Sequence, residues 1–200
     1  MYFLFLIVSY IIGSVPFGYI LTKKIRNADI RNYGSGNIGA TNVLRVIGWK
    51  AALPVSILDV LKGVIAVLLA KAASDLPVLY LGAGLMAMIG HSFPIFLGFK
   101  GGKAVATALG ALVVISGWIT LIVVTLAGII VYTSRYVSLG SIFGIISVPF
   151  LFWVFGYDPN HIIFGVGMAI LVAWRHHANI GRLIRGTESK LGQKAQIDNL

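Results

Sequence analysis

Three polar stretches carry the side chains capable of chemistry: Gly34-Ser35-Gly36-Asn37-Ile38-Gly39-Ala40-Thr41-Asn42, Lys100-Gly101-Gly102-Lys103 and Arg175-His176-His177-Ala178-Asn179. Their residue types suit anions. Glycine lets backbone N–H groups approach a phosphate, and a following helix start adds its dipole. Ser35, Asn37, Thr41 and Asn42 add neutral donors, and Arg45 offers two nitrogens to one phosphate. Gly34, Gly36 and Gly39 spell G-x-G-x-x-G ahead of a helix-like stretch from Ala40 to Val46. No strand precedes it as the dinucleotide fingerprint requires, and no Gly-Lys-Ser/Thr ending makes it a P-loop. Taken alone, this loop is equally an ordinary turn with an N-cap.

The second loop repeats glycines and cations ahead of a helix start, with Lys103 as its last cation. Lysines snorkelling around a tight turn explain either lysine singly, but not two such loops on one face. His91 lies about two turns earlier, at a depth where a histidine more often bonds to a neighbouring helix than to a substrate. Asp59 and Lys62 sit one helical turn apart within an apolar run; either charge alone costs ~2.5–3.5 kcal/mol at mid-membrane, so they are expected to pair. In the third stretch, imidazoles stand beside guanidiniums, and histidine is the natural proton carrier near neutral pH. Nothing completes a zinc site: Glu188 and Asp198 are the only nearby carboxylates, and no H-E-x-x-H spacing occurs. The chain has no cysteine, hence no disulfide frame, thiolate metal site or cysteine-linked acyl intermediate.

The elements that must position these residues are membrane helices. The chain is 58% hydrophobic and 11% charged, with a mean hydropathy of +0.93, leaving too few polar residues to cover a soluble globule of 200 residues. Backbone groups in lipid must be satisfied internally, and the apolar runs lack the alternation of barrel strands. The expected fold is an all-α integral membrane protein with seven transmembrane helices over 3–22, 51–73, 76–98, 104–116, 118–134, 136–156 and 160–175. The uncharged run 104–134 would measure about 46 Å as one helix, too long for a core of ~30 Å. A break at Ser116-Gly117-Trp118 puts 14 of the 16 basic residues into alternate gaps, from Lys23, Lys24, Arg26, Arg31, Arg45 and Lys50, through Lys100, Lys103 and Arg135, to Arg175, Arg182, Arg185, Lys190 and Lys194. By the positive-inside rule those gaps and the C-terminus are cytoplasmic and the N-terminus extracellular or periplasmic. All three polar stretches then share one face.

The net charge of +10 follows from basic cytoplasmic loops and anionic lipid, so nucleic acid binding is not expected. The first span lacks a basic n-region and a cleavage site, and is read as an anchor rather than a signal peptide. No repeat or long linker divides the chain, so residues 1–200 are expected to form one domain. A small anion transporter would place its cations near the midplane, often within inverted repeats. A serine hydrolase would need the G-x-S-x-G elbow. Both remain alternatives, weighed down because the cations cluster at one edge and the Gly34–Gly39 loop lacks that elbow.

Across nearly its whole length the chain resembles the bacterial acyl-phosphate:glycerol-3-phosphate acyltransferases, the PlsY family. The resemblance rests on G-S-G-N-x-G-A-T-N-x-L-R from Gly34 to Arg45, Asp59-x-x-Lys62-Gly63, and Gly90-His91 through Lys100-Gly101-Gly102-Lys103-Ala104. Tyr136-Val137-Ser138 to Ser141 and His176-x-x-Asn179-Ile180 to Gly186-x-Glu188-x-Lys190 complete it. One departure is His177-Ala178, where the family often has Arg-Glu. The resemblance implies acyl transfer from acyl phosphate to the 1-hydroxyl of glycerol 3-phosphate, giving lysophosphatidic acid and phosphate. It implies no cofactor, no metal, a monomer, and an active site on the cytoplasmic face of the bacterial inner membrane, in contact with membrane lipid. It also implies a catalytic set of His176, Asn179, Ser35, Arg45 and Lys103. Gly34, Gly36, Asn37, Thr41, Asn42, Lys62, His91, Gly101, Gly102, Ser141 and Arg182 would bind substrate phosphates, and Asp59 and Glu188 would be structural. The thioester-using class is excluded, because no histidine here is followed by aspartate in H-x-x-x-x-D.

Overall fold

The computed structural model describes residues 2–193, whose regular elements are all helices, with no strand among them. Lys194 and Asp198 lie outside the described residues. The first apolar run forms α1 (Tyr2–Ser14) and α2 (Phe17–Arg26), separated at Pro16, which has no N–H to continue the ladder. A 3₁₀ turn (Ile30–Asn32) and α3 (Ala40–Val46) follow. The long α4 (Trp49–Ala73) and α5 (Pro77–Ser92) come next, then a second 3₁₀ turn (Ile95–Leu97). The uncharged run is divided as the charge pattern demands, into α6 (Val105–Ile115) and α7 (Gly117–Ser134); Ser116 sits between them and caps α7 by accepting from the Ile119 N–H. α8 (Val137–Ile146) and α9 (Val148–Val154) are interrupted next to Pro149. α10 (Pro159–Arg175) and α11 (His177–Ile184) complete the order, with His176 between them.

Five helical stretches are long and apolar enough to cross a bilayer: 2–26, 49–73, 77–97, 117–134 and 137–154. The other two expected spans are shorter. α10 has 17 residues. α6 has 11, about 16 Å, roughly half of a hydrocarbon core.

Glycine sets the helix spacing, since in lipid close packing replaces the hydrophobic drive between helices. A Cβ on Gly63 would fall 2.1 Å from the Thr107 carbonyl oxygen, and one on Gly110 would fall 1.9 Å from that of Val60. α4 and α6 are therefore in backbone contact, and α6 is held deep in the bundle. One core cluster, including Val67, Met88, Leu112, Phe152 and Met168, lies between α4 and α10. A second, built on Ile30, Ile38, Val43 and Val55, packs the first polar loop against α4.

Candidate active site

The first loop is organised around one amide. Asn42 is buried; its Oδ1 accepts from the Ser35 N–H (2.8 Å), and its Nδ2 donates to the carbonyls of Asn37 (2.8 Å) and Tyr33 (3.0 Å). Gly34 and Gly36 hold φ of 59° and 70°, left-handed values that disfavour a side chain. Asn37 turns its Oδ1 back onto the Gly39 N–H at 2.8 Å. The spacing of G-x-G-x-x-G thus serves the loop's own path, and Ser35, Thr41 and Arg45 are left facing the cavity beside it.

The second loop is clamped from behind. Gly102 donates its N–H to the His91 carbonyl at 3.0 Å. Arg175 donates to the carbonyls of Gly101 (2.8 Å) and Gly102 (2.9 Å). A Cβ on Gly102 would overlap His91 Nε2 at 2.0 Å, and one on Gly101 would meet the His91 oxygen at 2.2 Å. These two glycines make room for the protein's own histidine. Neither lines the cavity of the free protein, and the expected approach of their backbone to a phosphate is a proposal. Beneath the loop, Lys62 pairs with Asp59 at 2.7 Å and lies 3.3 Å from His91 Nδ1. The expected Asp59–Lys62 pair is present, with His91 as a third member joining α4 to α5.

The third segment completes a polar chain. Lys103 Nζ donates to Asn179 Oδ1. Asn179 Nδ2 donates to Glu188 Oε1 (2.6 Å), as does the Ser138 hydroxyl (2.8 Å), while Arg182 Nε donates to Oε2 (2.7 Å). Arg45 donates to the Ser189 carbonyl at 3.1 Å, so the segment around Glu188 lies across the first loop. Burial opposes ionisation of Glu188, but the bonds from Ser138, Asn179 and Arg182 prevail and hold its pKa below the ordinary value. Burial, reinforced by Arg182, Arg45 and Arg175, brings Lys103 down to about 8.

His176 is 2% exposed, and burial together with the Lys103 charge pushes its pKa down to about 4. Its Nδ1 lies 2.8 Å from the Val172 carbonyl. A carbonyl only accepts, so Nδ1 carries the proton and Nε2 keeps a lone pair. His176 reaches the cavity as a neutral acceptor.

The cavity encloses about 960 Å³ including its open mouth. Ser35, Asn37, Thr41, Asn42, Arg45, Asp59, His91, Lys103, Ser141, His176, Asn179 and Glu188 all line it. Gly34, Gly36, Lys62, Gly101, Gly102 and Arg182 do not. They shape the loops or hold the residues that line it. Direct phosphate contact by these six is a proposal, and the Asn42 amide is bonded inside its own loop. Ser138 and Arg175 have roles at the site that the sequence does not assign to them: Ser138 holds Glu188 and Arg175 clamps the second loop. A bidentate arginine at a helix end is a signal for clamping, but its target is invisible without the fold. No cluster of three metal-ligating side chains occurs among the described residues.

A model of the glycerol-3-phosphate acyltransferase family matches residues 3–186. The chain belongs to that family. It is 48% identical to a glycerol-3-phosphate acyltransferase of Thermoanaerobacter sp. (strain X514), with 96% of each chain covered. It is 47% identical to one of Desulforamulus reducens, with 93% of each covered. Among solved structures it is similar to PlsY, an integral membrane glycerol 3-phosphate acyltransferase, in its glycerol 3-phosphate form (TM-score 0.91, 39% identity, 96% of each chain). The lysophosphatidic acid form of that protein matches with a TM-score of 0.86 at 38% identity, again over 96% of each chain. Membership of this acyltransferase family agrees with a cavity that gathers cations, small donors and a neutral imidazole.

Proposed function

We propose that the chain transfers a fatty acyl group from acyl phosphate to the sn-1 hydroxyl of glycerol 3-phosphate. The reaction would take place at the cytoplasmic face of a bacterial inner membrane, in one seven-span domain acting as a monomer. The observation that carries this reading is the meeting of two chemistries. Arg45, Lys103 and the neutral His176 face a cavity that shares Val105, Leu109, Val137 and Ser141 with an apolar cleft between α6, α7 and α8. Two phosphates and one acyl chain need such a pairing. With the Ser116 end of α6 at the outer surface, its 16 Å length recesses Lys103 below the cytoplasmic surface, toward the acyl chains.

Arg45 and Lys103 neutralise the two substrate phosphates, whose mutual repulsion otherwise opposes their approach. Ser35, Asn37 and Thr41 orient one of them. The acceptor hydroxyl oxygen attacks the acyl carbonyl carbon, forming the ester C–O bond. The C–O bond to phosphate breaks, and its electron pair leaves with inorganic phosphate. The hydroxyl proton passes to His176 Nε2 or to a phosphate oxygen. Acyl phosphate is already activated, so positioning and preorganised charge suffice, without a covalent intermediate or cofactor.

The test uses purified protein with glycerol 3-phosphate and, in parallel, palmitoyl phosphate, palmitoyl coenzyme A or palmitoyl acyl carrier protein, following lysophosphatidic acid. Turnover is expected with acyl phosphate alone and unchanged by chelators. Equal rates with the thioesters would overturn the donor assignment. Loss of activity to chelators, restored by one metal, would overturn the metal-free mechanism.

A further inference from the structure

Gly128, in the interior of α7, stands apart from the glycines packed between helices. Gly140 and Gly144 on the facing α8 are filled from across: a Cβ at Gly140 would lie 2.6 Å from the Ala127 carbonyl oxygen, and one at Gly144 would lie 3.2 Å from the Ala127 Cβ. These two bring α7 and α8 together. A Cβ at Gly128 would meet no atom within 4 Å, yet Gly128 lines the apolar cleft of about 530 Å³. Gly128 is exposed, so the space beside it is the open side of that cleft. Along α7 the cleft runs from Val131 to Val123, about 12 Å at 1.5 Å per residue, with Gly128 in its cytoplasmic half. Ser141 and Val137 mark the junction where it opens into the polar cavity.

We propose that Gly128 is the clearance point of this groove: the substrate's acyl chain occupies the volume a side chain there would take, so the residue at 128 determines whether long acyl chains are accepted. The proposal rests on the acyltransferase reading above and adds a specificity-determining position to it. The occupant follows from continuity. The groove is apolar, its only polar lining side chain is the Ser141 hydroxyl at the junction, and it begins where the acyl carbonyl must react. A larger residue at 128 obstructs the chain without displacing backbone, unlike substitution at Gly140.

The test compares wild type, Gly128→Ala and Gly128→Leu across a donor series from butyryl to palmitoyl phosphate. Withdrawing each methylene from apolar surroundings costs about fourfold, and a leucine displaces several. For Gly128→Leu, kcat/KM is expected to fall roughly 10- to 100-fold with palmitoyl phosphate and to converge on wild type for the shortest donors, with Gly128→Ala in between. Coincident profiles at every chain length, or an equal fall at every chain length, would overturn the proposal. A wild-type measurement covers failure of the leucine variant to fold. Lysophosphatidic acid carrying a mid-chain diazirine should crosslink to residues 123–131 of α7 or 137–145 of α8, and crosslinks confined to other helices would also overturn it. Because lysophosphatidic acid is the product whichever donor is used, that arm stands apart from the acyl-phosphate assignment.

Discussion

Replacing Glu188 with glutamine changes one oxygen into an amide and tests whether the polar chain from Lys103 to Arg182 positions the site. Three donors converge on this carboxylate: Ser138 and Asn179 on Oε1, and Arg182 on Oε2. In Glu188→Gln the new carbonyl can keep Ser138 and Asn179, which leaves the new NH₂ facing the Arg182 donor. The Arg182 side chain is one-third exposed, at 33%, so it swings to water and its ion pair costs only about 1 kcal/mol. The two remaining bonds change from charged to neutral acceptors, falling from ~1.5–3 to ~0.5–1.5 kcal/mol each. The network loses about 3–4 kcal/mol, part of it as looser docking of the segment around Glu188. Asn179 then holds Lys103 less firmly, and kcat/KM for glycerol 3-phosphate should fall about 10- to 100-fold, with KM carrying most of the change. Glu188→Ala strands two buried donors at ~1–3 kcal/mol each and should be worse in both activity and thermal midpoint. Steady-state kinetics in detergent or nanodiscs with a thermal scan of each variant measure both. Near-wild-type KM in Glu188→Gln, or an alanine variant no worse than glutamine, would refute the positioning role. The pH sign is fixed by the lowered carboxyl pKa. This support is complete above the unfolded carboxylate range and is lost as pH falls through the depressed folded value.

His176, with a free-site pKa of about 4 against an ordinary 6.5, should stay neutral across pH 5–8 in ¹⁵N spectra of the free protein. The acidic limb of kcat/KM should then follow the substrate phosphate near pH 6 and persist in His176→Gln; a wild-type limb between 6 and 7 that vanishes in that variant would contradict a buried neutral imidazole. Stability should show the same group: above 6.5 neither folded nor unfolded histidine binds a proton, and between 6.5 and 4 the unfolded chain alone does, removing about 3 kcal/mol as pH falls. For topology, single cysteines at Gly117 and Asp158 should label from outside the membrane and one at Ser134 should not; the reverse pattern would refute seven crossings with a cytoplasmic C-terminus.

Composition and charge placement made the membrane class legible, and they located the break at Ser116, because hydropathy and basic residues report on lipid and its faces directly. The same signals could not show that α6 is only 11 residues long, since a half-length helix buried in protein is as apolar as a lipid-facing one. Asp59–Lys62 was legible from helical spacing and insertion cost. Its joining to His91 depends on the packing of α4 against α5, which no local pattern encodes. The glycine loops show the limit most clearly. Gly-rich sequence announces close approach, but the partner can be a ligand or the protein itself. At Gly101 and Gly102 it is His91. At Asn42 the residue type suggested a phosphate donor, whereas all of its amide bonds run within its own loop.

The electrostatics of the cavity follow from one cause. Lys103 and His176 are both removed from water, and each resists protonation for that reason. Glu188 partly offsets this, but it is shared with Arg182, Ser138 and Asn179, and Lys103 reaches it only through the Asn179 amide. The free site is therefore positively biased, with no direct carboxylate partner for either group among the described residues. In the mechanism proposed here, a phosphate dianion supplies the missing charge, raising the proton affinity of Lys103 and His176 together, so the acceptor's own binding tunes His176 Nε2 toward proton uptake. A carboxylate paired directly with Lys103 would neutralise the site in advance and remove that coupling. The interposed Asn179, neutral and hydrogen-bonded on both sides, fixes Lys103 in place while leaving its charge for the substrate.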